Sequence, residues 1–126
     1  IARRQRQMCI RDRLMTHAVI YKSHVNGEVL GFKTYGHSGY ADEGSDIVCS
    51  AISLLVINTI NAIDTFTDAK YETQVNEDEA LISFMLTSEM TEITSDIRVL
   101  LNALELGLSQ VAAGNPDYLS ISIEEV

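Results

Sequence analysis

The chain predicts an α+β domain in the order β-β-α-β-β-α-β, an antiparallel or mixed sheet with two helices packed on it. Three observations lead there. Apolar alternation flanks an Asn26-Gly27 pair near the start, a nearly continuous apolar stretch runs from 47 to 66, and a second apolar series from Ile93 recurs every three or four residues until Gly114-Asn115-Pro116. Alternation marks strands, three-and-four spacing marks an amphipathic helix, and a long apolar run exceeds what one strand can use.

Taken in order, "THAVIYKSH" (16 to 24) is the first strand, with Val19, Ile20 and Tyr21 among polar neighbours. Asn26-Gly27 supplies the hairpin turn, because both residue types tolerate left-handed backbone. "EVLGFKTYG" is the second strand and ends at Gly36, so His37 stands at a strand's end. Residues 47 to 66, "IVCSAISLLVINTINAIDTF", suit a mostly buried helix with Asp46 as its N-cap, which puts Cys49 in the first turn. "AKYETQVNEDEALISFMLTS" gives two strands joined around Asn76 to Glu79; Tyr71, Thr73 and Val75 alternate on the first, while Leu81, Phe84 and Leu86 are less regular on the second. The second helix carries Ile93, Ile97, Leu100, Leu101, Leu104, Leu108 and Val111 on one face and stops at the Gly-Asn-Pro run. "YLSISIEEV" closes as an alternating strand.

The 126 residues form one domain, long enough to bury a core without disulfides or metal. Cys9 and Cys49 do not make a disulfide or zinc spacing, which fits a reducing compartment. No apolar run is expected to reach the ~20 residues of a membrane span, and no signal-peptide pattern is present. The expected setting is the cytoplasm, with no membrane partner. Residues 1 to 14, "IARRQRQMCIRDRL", lack periodicity and carry five arginines against one aspartate. They are expected to be a non-native or disordered basic extension ahead of a single domain at 15 to 126, with Met15 the natural start. Of the formal −9 total, this segment is +4, which leaves −13 on residues 15 to 126. So acidic a body repels phosphate backbones, excluding nucleic acid as the expected ligand, and favours basic partners.

Chemistry concentrates in residues 34 to 53, "TYGHSGYADEGSDIVCSAIS", where His37 and Cys49 bracket a glycine-spaced polar stretch. A thiolate is the nucleophilic form of cysteine, and unpaired N–H groups at a helix start favour it. An imidazole can take the thiol proton and later give it to a departing amine, and the same N–H groups can receive an oxyanion. Gly39 and Gly44 lend the loop from Ser38 to Ser45 freedom to open and close over a substrate, or simply to turn. An ordinary loop followed by a helix with a buried structural thiol accounts for the same residues. No metal or cofactor is expected, since His17, His24, His37 and Cys49 form no close ligand pair; His17 and His24 are expected as exposed strand residues.

The stretch "GHSGYADEGSDIVCSAIS" resembles the signature of the ribosomal-processing cysteine protease family, Prp, in which Gly-His is followed by a glycine-containing loop and then Asp-Ile-Val-Cys with a serine beyond. The resemblance runs loosely over residues 15 to 126. It implies His37 as the catalytic histidine and Cys49 as the nucleophile, with Gly36, Asp46 and Ser53 on the family's motif positions. Gly36 would let the strand end turn sharply, Asp46 would cap or orient the helix start, and Ser53, one turn after Cys49, would support the site or bond back to its own helix. Ser38 departs from the alanine often found after the histidine, with size preserved. The resemblance further implies a homodimeric endopeptidase that removes the N-terminal extension of a bacterial large-subunit ribosomal protein, the twenty-seventh. The alternative is a non-enzymatic acidic ribosome-associated or assembly factor that binds a basic ribosomal protein, with Cys49 only in its core. A thiol redox protein comes third, lacking a resolving cysteine in the body.

Overall fold

The computed structural model describes residues 15–36, 43–78, 80–89 and 92–126, with 43–46 described for their backbone alone. The basic segment 1 to 14 lies outside the described residues. Seven elements follow in the predicted order: β1 (Thr16–Lys22), β2 (Val29–Tyr35), α1 (Glu43–Phe66), β3 (Tyr71–Asn76), β4 (Leu81–Leu86), α2 (Ser95–Gly114) and β5 (Leu119–Glu125).

β1 and β2 pair antiparallel across a connection in which the Gly27 N–H donates to the Ser23 carbonyl at 2.8 Å and the Asn26 side chain accepts from the Glu28 N–H at 3.0 Å. Gly27 adopts φ +73°, the left-handed region that its residue type allows. β4 pairs antiparallel with both β2 and β3, while β5 runs parallel to β1, giving one mixed five-stranded sheet in the order β3-β4-β2-β1-β5. β2 and β3, both antiparallel to β4, run parallel and are joined by α1. β4 and β5 likewise run parallel and are joined by α2. Such crossovers need a helix on a face of the sheet.

Both helices lie on the same face. Register places Ala18 opposite Thr34, and Ile20 opposite Phe32 and through it Phe84, so these side chains share a face. All are buried, together with Val48, Ile52, Val56 and Ile63 from α1 and Ile97, Leu101, Leu104 and Leu108 from α2. Phe32 and Phe84 stack with ring centroids 5.2 Å apart, and Tyr71 stacks on Phe84 at 5.0 Å. The helices approach each other at Gly107, where an added Cβ would come within 3.1 Å of the Leu55 side chain. Lys22 on β1 and Glu105 on α2 form an ion pair at 3.0 Å across the layers.

Three expectations are corrected. α1 begins at Glu43, so Asp46 is not its N-cap and Glu43 to Ser45 belong to the helix rather than to a loop. Residues Ile47–Phe66 are long and apolar enough to cross a membrane by length and composition, although Val48, Ile52, Val56 and Ile63 are committed to the core. The alternation of β3 does not translate into burial: by register Val75 faces the helix layer opposite Ile82, yet it is 69% exposed, because β3 is an outer strand of the sheet. At the far end of that strand, the Tyr71 hydroxyl donates to Asp64 of α1 at 2.8 Å, and this bond to a carboxylate raises the phenol above its ordinary value of 10.0.

Candidate active site

The thiol of Cys49 is half-buried on the sheet-facing flank of α1, near the cavity at the strand ends. Cys49 is the seventh residue of the helix, one turn later than its sequence predicts. The unpaired N–H groups of a helix start lie in its first turn, and their influence falls off beyond it. The thiol therefore needs another source of polar contact, and β1 supplies it. Thr16 Oγ1 lies 3.6 Å from Cys49 Sγ and donates to the Gly36 carbonyl at 3.4 Å.

Thr16 is the first residue of β1 and is buried, as is Thr34 of β2, which pairs with Ala18 two residues further along β1. Alternation puts Thr16 on the same face as Ala18 and Ile20, which is why a hydroxyl ends up beneath the helix layer. Gly36 follows β2 with φ +83°, and a Cβ there would stand 2.8 Å from the Met15 carbonyl oxygen. The position requires glycine on both counts, and the chain leaves the sheet here toward His37.

These residues enclose a cavity of about 70 Å³, lined by Thr16, Thr34, Gly36, Cys49, Ile52, Ser53, Ala80 and Ile82. Its described walls are apolar or hydroxylic, with no charged side chain among them. Ser53 stands one turn after Cys49 on the same cavity and is exposed. Elsewhere in α1, Thr59 bonds back to the Leu55 carbonyl at 2.7 Å. Ala80, in the turn between β3 and β4, holds φ +49°, unusual for a residue with a side chain. A larger cavity of about 340 Å³ lies elsewhere, lined by Tyr21, Lys33, Glu72, Gln74, Ser83, Phe84 and Met85. Its described lining includes no cysteine or histidine, and the smaller one, which holds Cys49, is the candidate site.

Of the residues predicted for the site, Cys49, Gly36 and Ser53 come together on this cavity. His37 and Gly39 lie outside the described residues, as do the side chain of Asp46 and the surroundings of Gly44. No motif in the sequence singles out Thr16, Thr34, Ala80 or Ile82. Parity in β1 could have flagged Thr16 as a buried hydroxyl, but its distance to Cys49 depends on a helix 33 residues away in sequence. The expectation of two exposed strand histidines is corrected: His17 lies in β1 but is half-buried, its Nδ1 2.8 Å from Ser120 Oγ and its ring stacked on Tyr35, while His24 is exposed but lies in the turn after β1, its Nδ1 2.6 Å from the Val126 carbonyl oxygen.

A half-buried thiol, opening onto a small cavity whose described walls are uncharged and where three strands end, defines a candidate thiol enzyme on an α+β scaffold. The family profile of the cysteine protease Prp matches residues 15–120, and the chain belongs to that family of proteases. Among its relatives is the ribosomal processing cysteine protease Prp of Bacillus subtilis (strain 168), 24% identical over 109 residues that span 86% of this chain and 96% of that protein. The fold is shared with the crystal structure of SMU.848 from Streptococcus mutans, with a TM-score of 0.80, 25% identity and 90% and 97% of the two chains covered. It is shared too with an essential ribosomal processing protease Prp from S. aureus, solved in complex with a substrate peptide, with a TM-score of 0.77, 15% identity and 87% and 100% covered.

Proposed function

We propose that the chain is a cytoplasmic endopeptidase that removes the N-terminal extension of a bacterial large-subunit ribosomal protein, the twenty-seventh, with Cys49 as nucleophile and His37 as its acid and base. One observation carries the dyad: the residue immediately before His37 is tied to the thiol through a single hydroxyl, Gly36 O to Thr16 Oγ1 at 3.4 Å and Thr16 Oγ1 to Cys49 Sγ at 3.6 Å. This contact supports His37, the next residue, as the partner of the thiol. The B. subtilis relative, named for ribosomal processing, supports the substrate class. So does the charge of −13 on residues 15 to 126, since ribosomal proteins are basic.

In this reaction His37 accepts the thiol proton as sulfur attacks the scissile carbonyl carbon. The tetrahedral intermediate collapses with the C–N bond breaking and His37 returning its proton to the departing amine. Water, deprotonated by His37, then hydrolyses the thioester and frees the new carboxylate and the thiol. Gly39, Gly44, Asp46 and Ser53 are proposed as supporting positions around this pair. No step calls for a metal or cofactor.

The enzyme is further proposed to act as a homodimer. Ile47, Leu54 and Ile57 project from one exposed face of α1, a patch of the kind that isologous pairing covers.

The test is cleavage of a peptide spanning the full junction between extension and mature protein. Cys49→Ala and His37→Ala should each lower kcat/KM by at least ~10³-fold, because members of a catalytic unit fail together. Their melting temperatures should stay near that of the parent. Turnover near the parent level in either variant would remove that residue from the dyad.

A further inference from the structure

We propose that Thr16 is a positioning residue of the protease, its hydroxyl bonding both the Cys49 thiol and the Gly36 carbonyl while the sulfur is protonated and able to donate to only one of them once the sulfur is ionised. The inference rests on Cys49 being the nucleophile. It does not depend on which peptide is cleaved.

A threonine hydroxyl has one proton to donate and lone pairs with which to accept. Thr16 Oγ1 has two partners within bonding range, the Gly36 carbonyl oxygen and Cys49 Sγ. While sulfur carries its proton, S–H donates to Oγ1 and O–H donates to the Gly36 carbonyl, so both contacts are satisfied. Once the sulfur is ionised it can only accept. The hydroxyl proton must then turn toward sulfur, and the bond to Gly36 is given up. Bonds to an ionised partner are about twice as strong as neutral ones, so the turn is favourable. Ionising the thiol therefore loosens the backbone at the left-handed Gly36, one residue before His37. Binding that carbonyl in turn holds the proton away from sulfur.

Thr34 and Ser53 bring hydroxyls to the same cavity, but the contact to the sulfur is made by Thr16. Thr16 is 5% exposed, so water competes little for its proton. The cavity neighbours of the thiol are Thr34 and Gly36 from β2, Ile52 and Ser53 from α1, and Ala80 and Ile82 from the β3–β4 end, none of them charged. The ionisable residues near in sequence, His37, Asp42, Glu43 and Asp46, have no described side chains. A Thr that served packing alone would need its methyl group; the proposed role needs its oxygen.

Thr16→Val keeps the shape and removes the hydroxyl, whereas Thr16→Ser keeps the hydroxyl and removes the methyl. Both are made in the full chain with Cys9→Ser, so that alkylation reports Cys49, and the rate with iodoacetamide is measured against pH. In Thr16→Val the profile should be displaced toward lower reactivity, with alkylation near neutral pH about tenfold slower than in the parent. Thr16→Ser should restore the parent profile, and kcat on the junction peptide should follow the same order with KM little changed. The displacement should persist when His37→Ala is added, since the bond is direct. A Val profile that superimposes on the parent, a Ser variant displaced as far as Val, or a displacement that vanishes with His37→Ala would each overturn the proposal. If Thr16→Val fails to fold, Thr16→Ala replaces it under the same expectations. Retained cleavage in Cys49→Ala would sink the protease assignment of that thiol while leaving the alkylation profile to judge the hydroxyl bond separately.

Discussion

Gly36 carries two independent demands. Its φ of +83° lies where an L side chain costs about 1–2 kcal/mol, and its missing Cβ makes room for the Met15 carbonyl, which would stand only 2.8 Å from that atom. Neither the backbone of Met15 nor that of β2 can yield without disturbing the Thr16 bond to Gly36. Gly36→Ala should therefore lower stability by about 2 kcal/mol or more, and also move the His37 attachment point. The expected outcome is a lower melting temperature together with at least a tenfold loss of kcat on the junction peptide. Urea unfolding and steady-state kinetics check the two separately. An alanine variant with lowered stability but unchanged kcat would show that Gly36 serves the fold alone.

At the scale of elements, periodicity carried a good deal. The apolar steps of α2 name its buried residues Ile97, Leu101, Leu104 and Leu108, because one helix face meets one sheet, whereas Ile93, expected on the helix, precedes its start at Ser95 and Leu100 and Val111 are only half-buried. The hairpin at Asn26-Gly27 was legible for a similarly local reason. What failed was non-local. Val75 alternates correctly but is exposed, since only the strand order reveals that β3 lies at the rim. The start of α1 at Glu43 moved Cys49 out of the first turn, and the partner that replaces the helix end, Thr16, became visible only when β1 was placed under α1. The helix α1 also keeps a face that its own sheet does not use. Ile47 and Leu54 are seven residues apart, two turns along the same stripe, at 65% and 70% exposure, with Ile57 beside them. A second copy of α1 covering this stripe would bury it. Leu54→Asp should then convert a dimer to a monomer in sedimentation equilibrium with the far-ultraviolet circular dichroism unchanged. A parent chain that is monomeric at high micromolar concentration would rule the dimer out, and a Leu54→Asp dimer would move the interface elsewhere.

Charge acts on the whole molecule. The −13 of residues 15 to 126 surrounds a cavity whose described walls are neutral, so electrostatics should govern arrival of the substrate rather than its chemistry. The turn that contributes Ala80 to the cavity also presents Glu77 and Asp78, both exposed, with the Glu77 carbonyl accepting from the Ala80 N–H at 3.2 Å. Acids beside a cavity with neutral described walls draw in a basic chain and leave the bond-breaking step untouched. Exposed charges are screened over about 8 Å at physiological ionic strength and over less as salt rises. With an intact basic ribosomal protein as substrate, raising salt from about 50 to about 500 mM should lower kcat/KM by about tenfold or more through KM, while kcat holds, since rim charges act on association. A short uncharged junction peptide should show almost no salt dependence. Reversing both rim acids, Glu77→Lys with Asp78→Lys, should raise KM for the basic protein and flatten its salt response without altering iodoacetamide reactivity at Cys49. Should kcat fall along with kcat/KM as salt rises, or should the basic protein and the neutral peptide respond alike, the acidic body would have no part in choosing the substrate.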